Sequence, residues 1–324
     1  GLSRSGAGLV MIEATAVERI GRITHGCLGL YSDRNQAALK NVLDTCRAAG
    51  TATFGIQLGH AGRKASTHVP WQGGQALTAD EDAWQTVSPS GTADGLSRAC
   101  TADDLERIKQ AFVRAATRAV EIGINVIELH AAHGYLLHQF LSPLANQRTD
   151  EYGGSLENRM RFPLEVFSAV KAAVPSHVAL GARITGTDWL DGGITMDEAS
   201  IFAQKLDALG CSFLDVTSGG VALADIPVGP GYQVHLAEAI RQVVAVPVLA
   251  VGMIVSPVQA ESILAEGQAD AVMLGRAFLD NPHWPYEAAQ ALDATVTYPP
   301  QYERAAPDKW PGVSLKSQSQ DTAA

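Results

Sequence analysis

An α/β barrel of parallel strands is the fold this sequence predicts. Short, continuous apolar runs alternate with stretches of helical periodicity from Gly8 to Leu292, and such runs belong to a parallel sheet covered on both faces. Their spacing is regular. Residues suited to chemistry follow nearly every run, which favours a closed (β/α)8 barrel over an open doubly wound sheet. A chain of 324 residues is long enough for one such domain, here expected over residues 1–310.

The elements follow in order. Gly8-Leu-Val-Met-Ile-Glu-Ala14 reads as a buried strand, and residues 34–49 have helical spacing that stops at Gly50. Residues 53–58 form the next strand. The stretch 60–97 lacks periodicity and is rich in Gly, Ser, Thr and Trp; a loop that long is usually functional or covers a site. Its Trp71 and Trp84 either line a pocket or anchor the loop. Residues 101–122 predict a helix capped by Thr101 and closed by Gly123, and 125–130 the third strand. Strands over 178–184, 212–217, 247–251 and 270–274 then alternate with helices over 156–174, 197–209, 232–243, 258–266 and 284–292. The polar tail, 311–324, predicts disorder.

Seven strands result, whereas closure takes eight. The expectation is that the first βα unit, roughly forty residues at the usual repeat, precedes Gly1.

Composition narrows the function. The net charge of -10 argues against nucleic acid or an anionic membrane as partner. No apolar run reaches the length of a membrane span, and no signal-peptide pattern opens the sequence. The cysteines, Cys27, Cys46, Cys100 and Cys211, are scattered without a Cys-x-x-Cys pair. Free thiols in a cytoplasmic protein are expected rather than an iron–sulfur cluster or structural zinc.

The stretch Val126-Ile-Glu-Leu-His-Ala-Ala-His-Gly-Tyr135 carries the chemistry. A buried strand ending in a tight loop would set His130 and His133 at its C-terminal lip with Tyr135 beside them. Two N–H donors and an acidic O–H in one small volume suit a developing oxyanion and the delivery of a proton. His-x-x-His also occurs in metal sites, but no Glu follows the first His and no acidic ligand lies nearby in sequence, so no metal is expected.

Glycine turns follow the last two strands, at Gly252 and at Gly275-Arg276. Loops in that position often bind phosphate, with backbone N–H groups and a guanidinium approaching the anion. Arg183 and Gln57 interrupt apolar strands and would point into the barrel mouth. A planar phosphorylated cofactor would satisfy both; an internal salt bridge from Arg183 to Glu128 or Asp215 is the alternative.

With these residues in view, the chain resembles the old yellow enzymes, the FMN-dependent ene reductases. It looks most like their bacterial group of YqjM-like proteins and xenobiotic reductases. The resemblance runs from Gly8 to about Arg304 and rests on Ile56-Gln-Leu-Gly-His-Ala-Gly-Arg-Lys-Ala65, His130-Ala-Ala-His-Gly-Tyr135, Phe140-Leu-Ser-Pro-Leu144, Arg148-Thr-Asp-Glu-Tyr-Gly-Gly-Ser155, Glu157-Asn-Arg159 and Gln301-Tyr-Glu-Arg304. It implies a TIM barrel that binds FMN and takes hydride from NADPH or NADH. The implied substrates are small enones or nitro compounds, reduced by ping-pong transfer. His130 and His133 would hold the substrate oxygen, and Tyr135 would protonate the α-carbon. Ala14, Gln57, Lys64 and Arg183 would lie at the flavin ring, and Gly252, Gly275 and Arg276 at its phosphate. Arg304 would reach a partner subunit's site in a homodimer or homotetramer. The segment 148–159 would serve architecture, and Cys27 receives no role. Because the family's first strand lies under the flavin, these residues alone are expected to hold FMN weakly. A non-catalytic flavin-binding fragment is therefore the competing reading.

Overall fold

The computed structural model describes residues 1–312; the expected disordered tail falls almost wholly on 313–324, outside the described residues. Seven parallel strands form one sheet: β1 (Leu9–Ala16), β2 (Thr53–Gly59), β5 (Val126–Ala131), β6 (Ala179–Thr185), β7 (Leu214–Thr217), β8 (Val248–Val251) and β9 (Ala271–Met273), hydrogen-bonded in that order. β1 and β9 are its edges. The count of seven agrees with the reading from sequence.

Nine helices among the described residues serve as crossovers and covers: α1 (Asp33–Ala49), α2 (Ala102–Glu121), α3 (Leu136–Leu141), α4 (Leu156–Ala173), α5 (Met196–Ala208), α6 (Val234–Arg241), α7 (Pro257–Ala265), α8 (Arg276–Asp280) and α9 (Trp284–Ala291). Their starts are chemically set. Ser32, Thr101, Ser155 and Thr195 each accept a backbone N–H from inside the first turn of α1, α2, α4 and α5, satisfying donors that a helix start leaves orphaned. Thr101 and Asp104 complete a reciprocal capping box.

Strand parity explains the polar residues inside apolar runs. Ile127 and Leu129 of β5, Ile56 and Leu58 of β2, and Leu214 and Val216 of β7 are buried in the core that includes Ile108, Phe112, Phe162 and Val166 of α2 and α4. Side chains alternate across a strand. Gln57, Glu128, His130, Arg183, Asp215 and Thr217 therefore share the opposite, inward face.

The long loop is more ordered than its sequence suggests. It holds a two-stranded parallel ribbon, β3 (Thr86–Ser88) with β4 (Ser97–Ala99). Three residues per strand are too few to show a period. Trp84 is an anchor: its indole N–H donates to the Ile20 carbonyl at 2.9 Å, and Arg22 stacks on its ring. Trp71 is exposed. Arg148 and Arg159 serve architecture, donating to the carbonyls of Pro89 and Cys100 and of Leu141 and Gly154 respectively.

Candidate active site

Because all seven strands are parallel, their C-terminal ends share one rim, and register builds a polar layer just below it. Gln57 pairs with Glu128, His130 with Arg183, and Arg183 with Asp215. Gln57 donates its amide to Glu128 Oε1 at 2.6 Å. Arg183 Nε lies 3.3 Å from Asp215 Oδ2, so the internal ion pair considered above is present. The N–H is misdirected, however, and forms no hydrogen bond: Arg183 Nε, both Asp215 oxygens and Glu128 Oε2 are buried without a hydrogen-bond partner. Burial, and then the Asp215 charge, push the Glu128 carboxyl up to about 8 against the pull of Arg183 and Gln57. Burial also raises Asp215, against Arg183. One guanidinium faces two carboxyl groups, and Glu128 keeps its proton at neutral pH.

Above this layer the three residues of the β5 loop come together. His133 Nδ1 is 3.3 Å from His130 Nε2, with the rings edge-on, and the Tyr135 ring lies 4.8 Å from that of His130. Hydrogen-bond direction assigns the protons. The Ala132 N–H donates to His130 Nδ1, which must be bare, so the proton of His130 is on Nε2 and points to His133 Nδ1. His133 then carries its proton on Nε2, 3.0 Å from Thr217 Oγ1, and Thr217 donates onward to Gln233 Oε1. Both imidazoles are neutral. Burial lowers them first, followed by nearby positive groups, and His133 falls to about 3. Burial, with smaller contributions from Cys27 and Glu13, pushes the Tyr135 phenol up to about 12.

The loop is held in an uncommon shape. His133 has φ +58 and Gly134 φ +73; a left-handed non-glycine residue costs roughly 1–2 kcal/mol. Side chains from other elements hold it there. Lys64 Nζ donates to the carbonyls of His133 at 2.8 Å and Gly220 at 3.1 Å. Its ammonium also stands 5.2 Å from the Tyr135 ring centroid. The Leu136 N–H donates to the His60 carbonyl, and His60 Nε2 contacts Glu18 at 2.9 Å.

The remaining predicted residues are distributed around the rim. Ala14 lines a cavity with His130, Tyr135, Ile23 and Cys27. Cys27, which received no role from sequence, thus faces the same space as the proposed acid. Gly252 follows β8 at φ +121, and Gly275 and Arg276 follow β9, exposed, with open space where a Cβ on Gly275 would sit. Arg304 is exposed in the short 3-10 segment Pro300–Ala305. Sequence reasoning missed Thr217 and Gln233. The signal for Thr217 was its position two residues after the inward Asp215; Gln233 gave none. Among the described residues no group of three or more His, Cys, Asp or Glu side chains could hold a metal, and no helix is long and apolar enough to cross a membrane.

Known proteins resemble this chain in sequence and fold. The profile of the NADH:flavin oxidoreductase / NADH oxidase family matches residues 2–294. An NADPH dehydrogenase of Geobacillus sp. (strain WCH70) is 42% identical over 297 residues, 92% of this chain and 83% of that protein. One from Listeria innocua is 40% identical over 300 residues, 93% and 85% of the two chains. Among solved structures, morphinone reductase in complex with tetrahydroNAD superposes with a TM-score of 0.71 at 29% identity, over 93% of this chain and 82% of that one. The old yellow enzyme homologue of Zymomonas mobilis gives 0.72 at 26%, over 92% and 82%. A 2-naphthoyl-CoA reductase complex gives 0.79 at 27%, over 90% of this chain, which spans only 46% of that longer protein. The chain belongs to the NADH:flavin oxidoreductase / NADH oxidase family, the old yellow enzymes, whose members are FMN-dependent NAD(P)H oxidoreductases.

Proposed function

We propose that this protein is an ene reductase acting on the activated C=C bonds of α,β-unsaturated carbonyl or nitro compounds, with Tyr135 as the proton donor. The observation that carries this reading is the convergence of His130, His133 and Tyr135 at the strand rim.

The rim residues fit FMN. Arg183 is one-fifth exposed, and no protein acceptor meets its terminal nitrogens among the described residues. A flavin edge would supply the missing partner. Ala14 and Gln57 would flank the ring, although the Gln57 amide nitrogen is already committed to Glu128. Gly252, Gly275 and Arg276 would hold the phosphate; at Gly275 the absent Cβ leaves the backbone approachable, whereas at Gly252 the Gln233 side chain fills that space. Lys64, expected at the ring, has two of its donors on loop carbonyls and serves more directly to shape the His133 loop. When bound, FMN supplies the hydride transfer, accepting from NAD(P)H and delivering to the substrate's β-carbon.

The protein's own residues would do the rest. Thr217 Oγ1 can donate as well as accept. If it donates to His133 Nε2, the His133 proton moves to Nδ1. A small turn of either ring would then redirect His130 Nε2–H and His133 Nδ1–H from the 3.3 Å contact between them toward one bound oxygen. A carbonyl or nitro oxygen about 2.9 Å from each nitrogen fits that role. Neutral imidazoles polarise this oxygen without surrendering a proton to it. The Tyr135 hydroxyl has no protein hydrogen-bond partner among the described residues and stays protonated at neutral pH, free to deliver its proton to the α-carbon. The exposed Arg304 is the residue proposed to enter a partner's site in a homodimer or homotetramer.

Anaerobic stopped-flow on the FMN-loaded protein tests the reading: NADPH should bleach the flavin and 2-cyclohexenone should restore its colour. His133→Ala should slow the second phase and weaken phenol binding. If both are unchanged, the imidazole pair does not hold the substrate oxygen.

A further inference from the structure

One peptide unit in the β5 loop is gripped from both sides. Its carbonyl, that of His133, accepts from Lys64 Nζ at 2.8 Å, and its N–H, that of Gly134, donates to His138 Nδ1 at 2.7 Å. His138 lies on α3, one turn beyond the loop, and is fully buried. Its Nε2 is 2.9 Å from Asp188 Oδ1, and Asp188 is also fully buried, in the connection after β6. The other carboxylate oxygen accepts the Ser142 hydroxyl at 2.7 Å and the Ile194 N–H at 2.9 Å.

We propose that His138 and Asp188 are positioning residues for the oxygen-binding pair: Asp188 fixes the His138 tautomer, and His138 fixes the backbone that aims the His133 ring. The inference rests on the reading of His133 given above. The proton logic is closed. A backbone N–H can only donate, so His138 Nδ1 is bare and its proton sits on Nε2, facing a carboxylate. The N–H points to one side of Asp188 Oδ1, so the contact is one of charge and dipole rather than a linear hydrogen bond. Burial alone would raise Asp188, but His138, the Ile194 N–H and Ser142 together bring it below the usual carboxylate range. Asp188 is therefore anionic and holds that tautomer.

His133 needs such a hold because its left-handed backbone is not one its side chain favours. Without the acceptor at His138, the Gly134 N–H would be buried and unpaired, and the peptide would be held from one side only, by Lys64. Ser142, Asp188 and His138 do not form a hydrolytic triad. The serine hydroxyl is bonded to the aspartate rather than to the histidine, and all three side chains are sealed from solvent.

Two near-isosteric variants separate positioning from simple packing. His138→Asn keeps an acceptor in place of Nδ1 for Gly134 but gives up Asp188. His138→Gln reaches Asp188 but leaves Gly134 without an acceptor. In the FMN-loaded protein, His138→Gln should weaken 4-hydroxybenzaldehyde binding and lower kcat by about tenfold, the worth of one buried hydrogen bond. His138→Asn should stay within about threefold of the parent, although it melts earlier because Asp188 loses its partner. A purely structural role predicts the reverse order, with activity following stability, and that order would overturn the proposal. A second readout needs no turnover. In protein labelled with 15N-histidine, His138 should show a bare Nδ1 and a protonated Nε2, and Asp188→Asn should disturb that signature. A protonated Nδ1 would also overturn the proposal. If enone reduction is absent while the tautomer and the Gln-versus-Asn order in ligand affinity hold, the proposed activity fails and the positioning role stands.

Discussion

At the scale of single residues, the site depends on side chains kept in unusual protonation states. Burial does most of this. It keeps His130 and His133 neutral and Tyr135 protonated, the states that the proposed oxygen donors and proton donor require. A group that moves a proton in the transition state typically contributes about 10²–10⁴-fold. Tyr135→Phe should therefore slow the enone-dependent phase by that range while leaving the NADPH-dependent phase and phenol affinity within a few-fold, as read by single-turnover absorbance. An unchanged enone phase would assign the proton to another donor. Cys27 lines the same cavity as the Tyr135 phenol, and the Lys64 ammonium stands near its ring. Neither position followed from the sequence, because each depends on how a loop folds back over the rim.

At the scale of elements, the β5 loop and the loop after β7 are fitted to each other through glycine. A Cβ on Gly134 would come within 2.1 Å of the Gly220 carbonyl oxygen, and one on Gly220 within 2.7 Å of the His133 Cα. Both neighbours are backbone, which cannot yield as a flexible side chain can. Lys64 then joins the two loops through their carbonyls, and Arg63 adds a bond to the Val221 carbonyl. Gly134→Ala should cost at least about 1–2 kcal/mol from the left-handed backbone alone, with the clash in addition. It should separate the loops, so urea unfolding should show the loss of stability and enone turnover should fall below detection. Retention of both would mean that the two loops are not closely packed. The long helices α1, α2, α4 and α5 lie where their sequences predict, because caps, glycine or proline stops and apolar faces are local signals. Strand ends moved by no more than two residues, and the short helices α3 and α8 went unread; six and five residues are too few to establish a period.

For the whole molecule, the buried titratable groups shape stability against pH, and they act in opposite directions. The imidazoles of His130 and His133 have folded values below the ordinary 6.5. The unfolded chain therefore binds more protons below that pH, and stability falls as the solution is acidified. Glu128 is the reverse case. Its folded value of about 8 lies above the ordinary 4.5, so between those values the folded state binds more protons and stability falls as pH rises. The imidazole effect fades above pH 6.5 and is nearly complete about one unit higher, so the carboxyl effect dominates toward pH 8. Arg183, Asp215 and Gln57 are the charged or polar groups facing Glu128. Wild-type stability should decline from pH 6.5 to 8 by at most about 2 kcal/mol, one proton over that interval. Glu128→Gln, which can keep an oxygen toward Gln57, should flatten the decline in urea melts. An equal decline in the variant would place the titrating group elsewhere.

The sequence by itself determined the order and type of the long elements, the parallel sheet of seven strands, and the meeting of His130, His133 and Tyr135 at the end of β5. It could do so because hydrophobic period, capping and short motifs are properties of neighbours along the chain. Only the tertiary structure decided what each polar side chain does. It paired Gln57 with Glu128, set Arg183 against Asp215, turned Lys64 onto loop carbonyls, brought Thr217, backed by Gln233, to His133, and set His138, backed by Asp188, under the Gly134 N–H. The physical reason is range. A hydrogen bond or ion pair is fixed within a few tenths of an ångström by groups that lie tens of residues apart in sequence, and no local pattern records that distance.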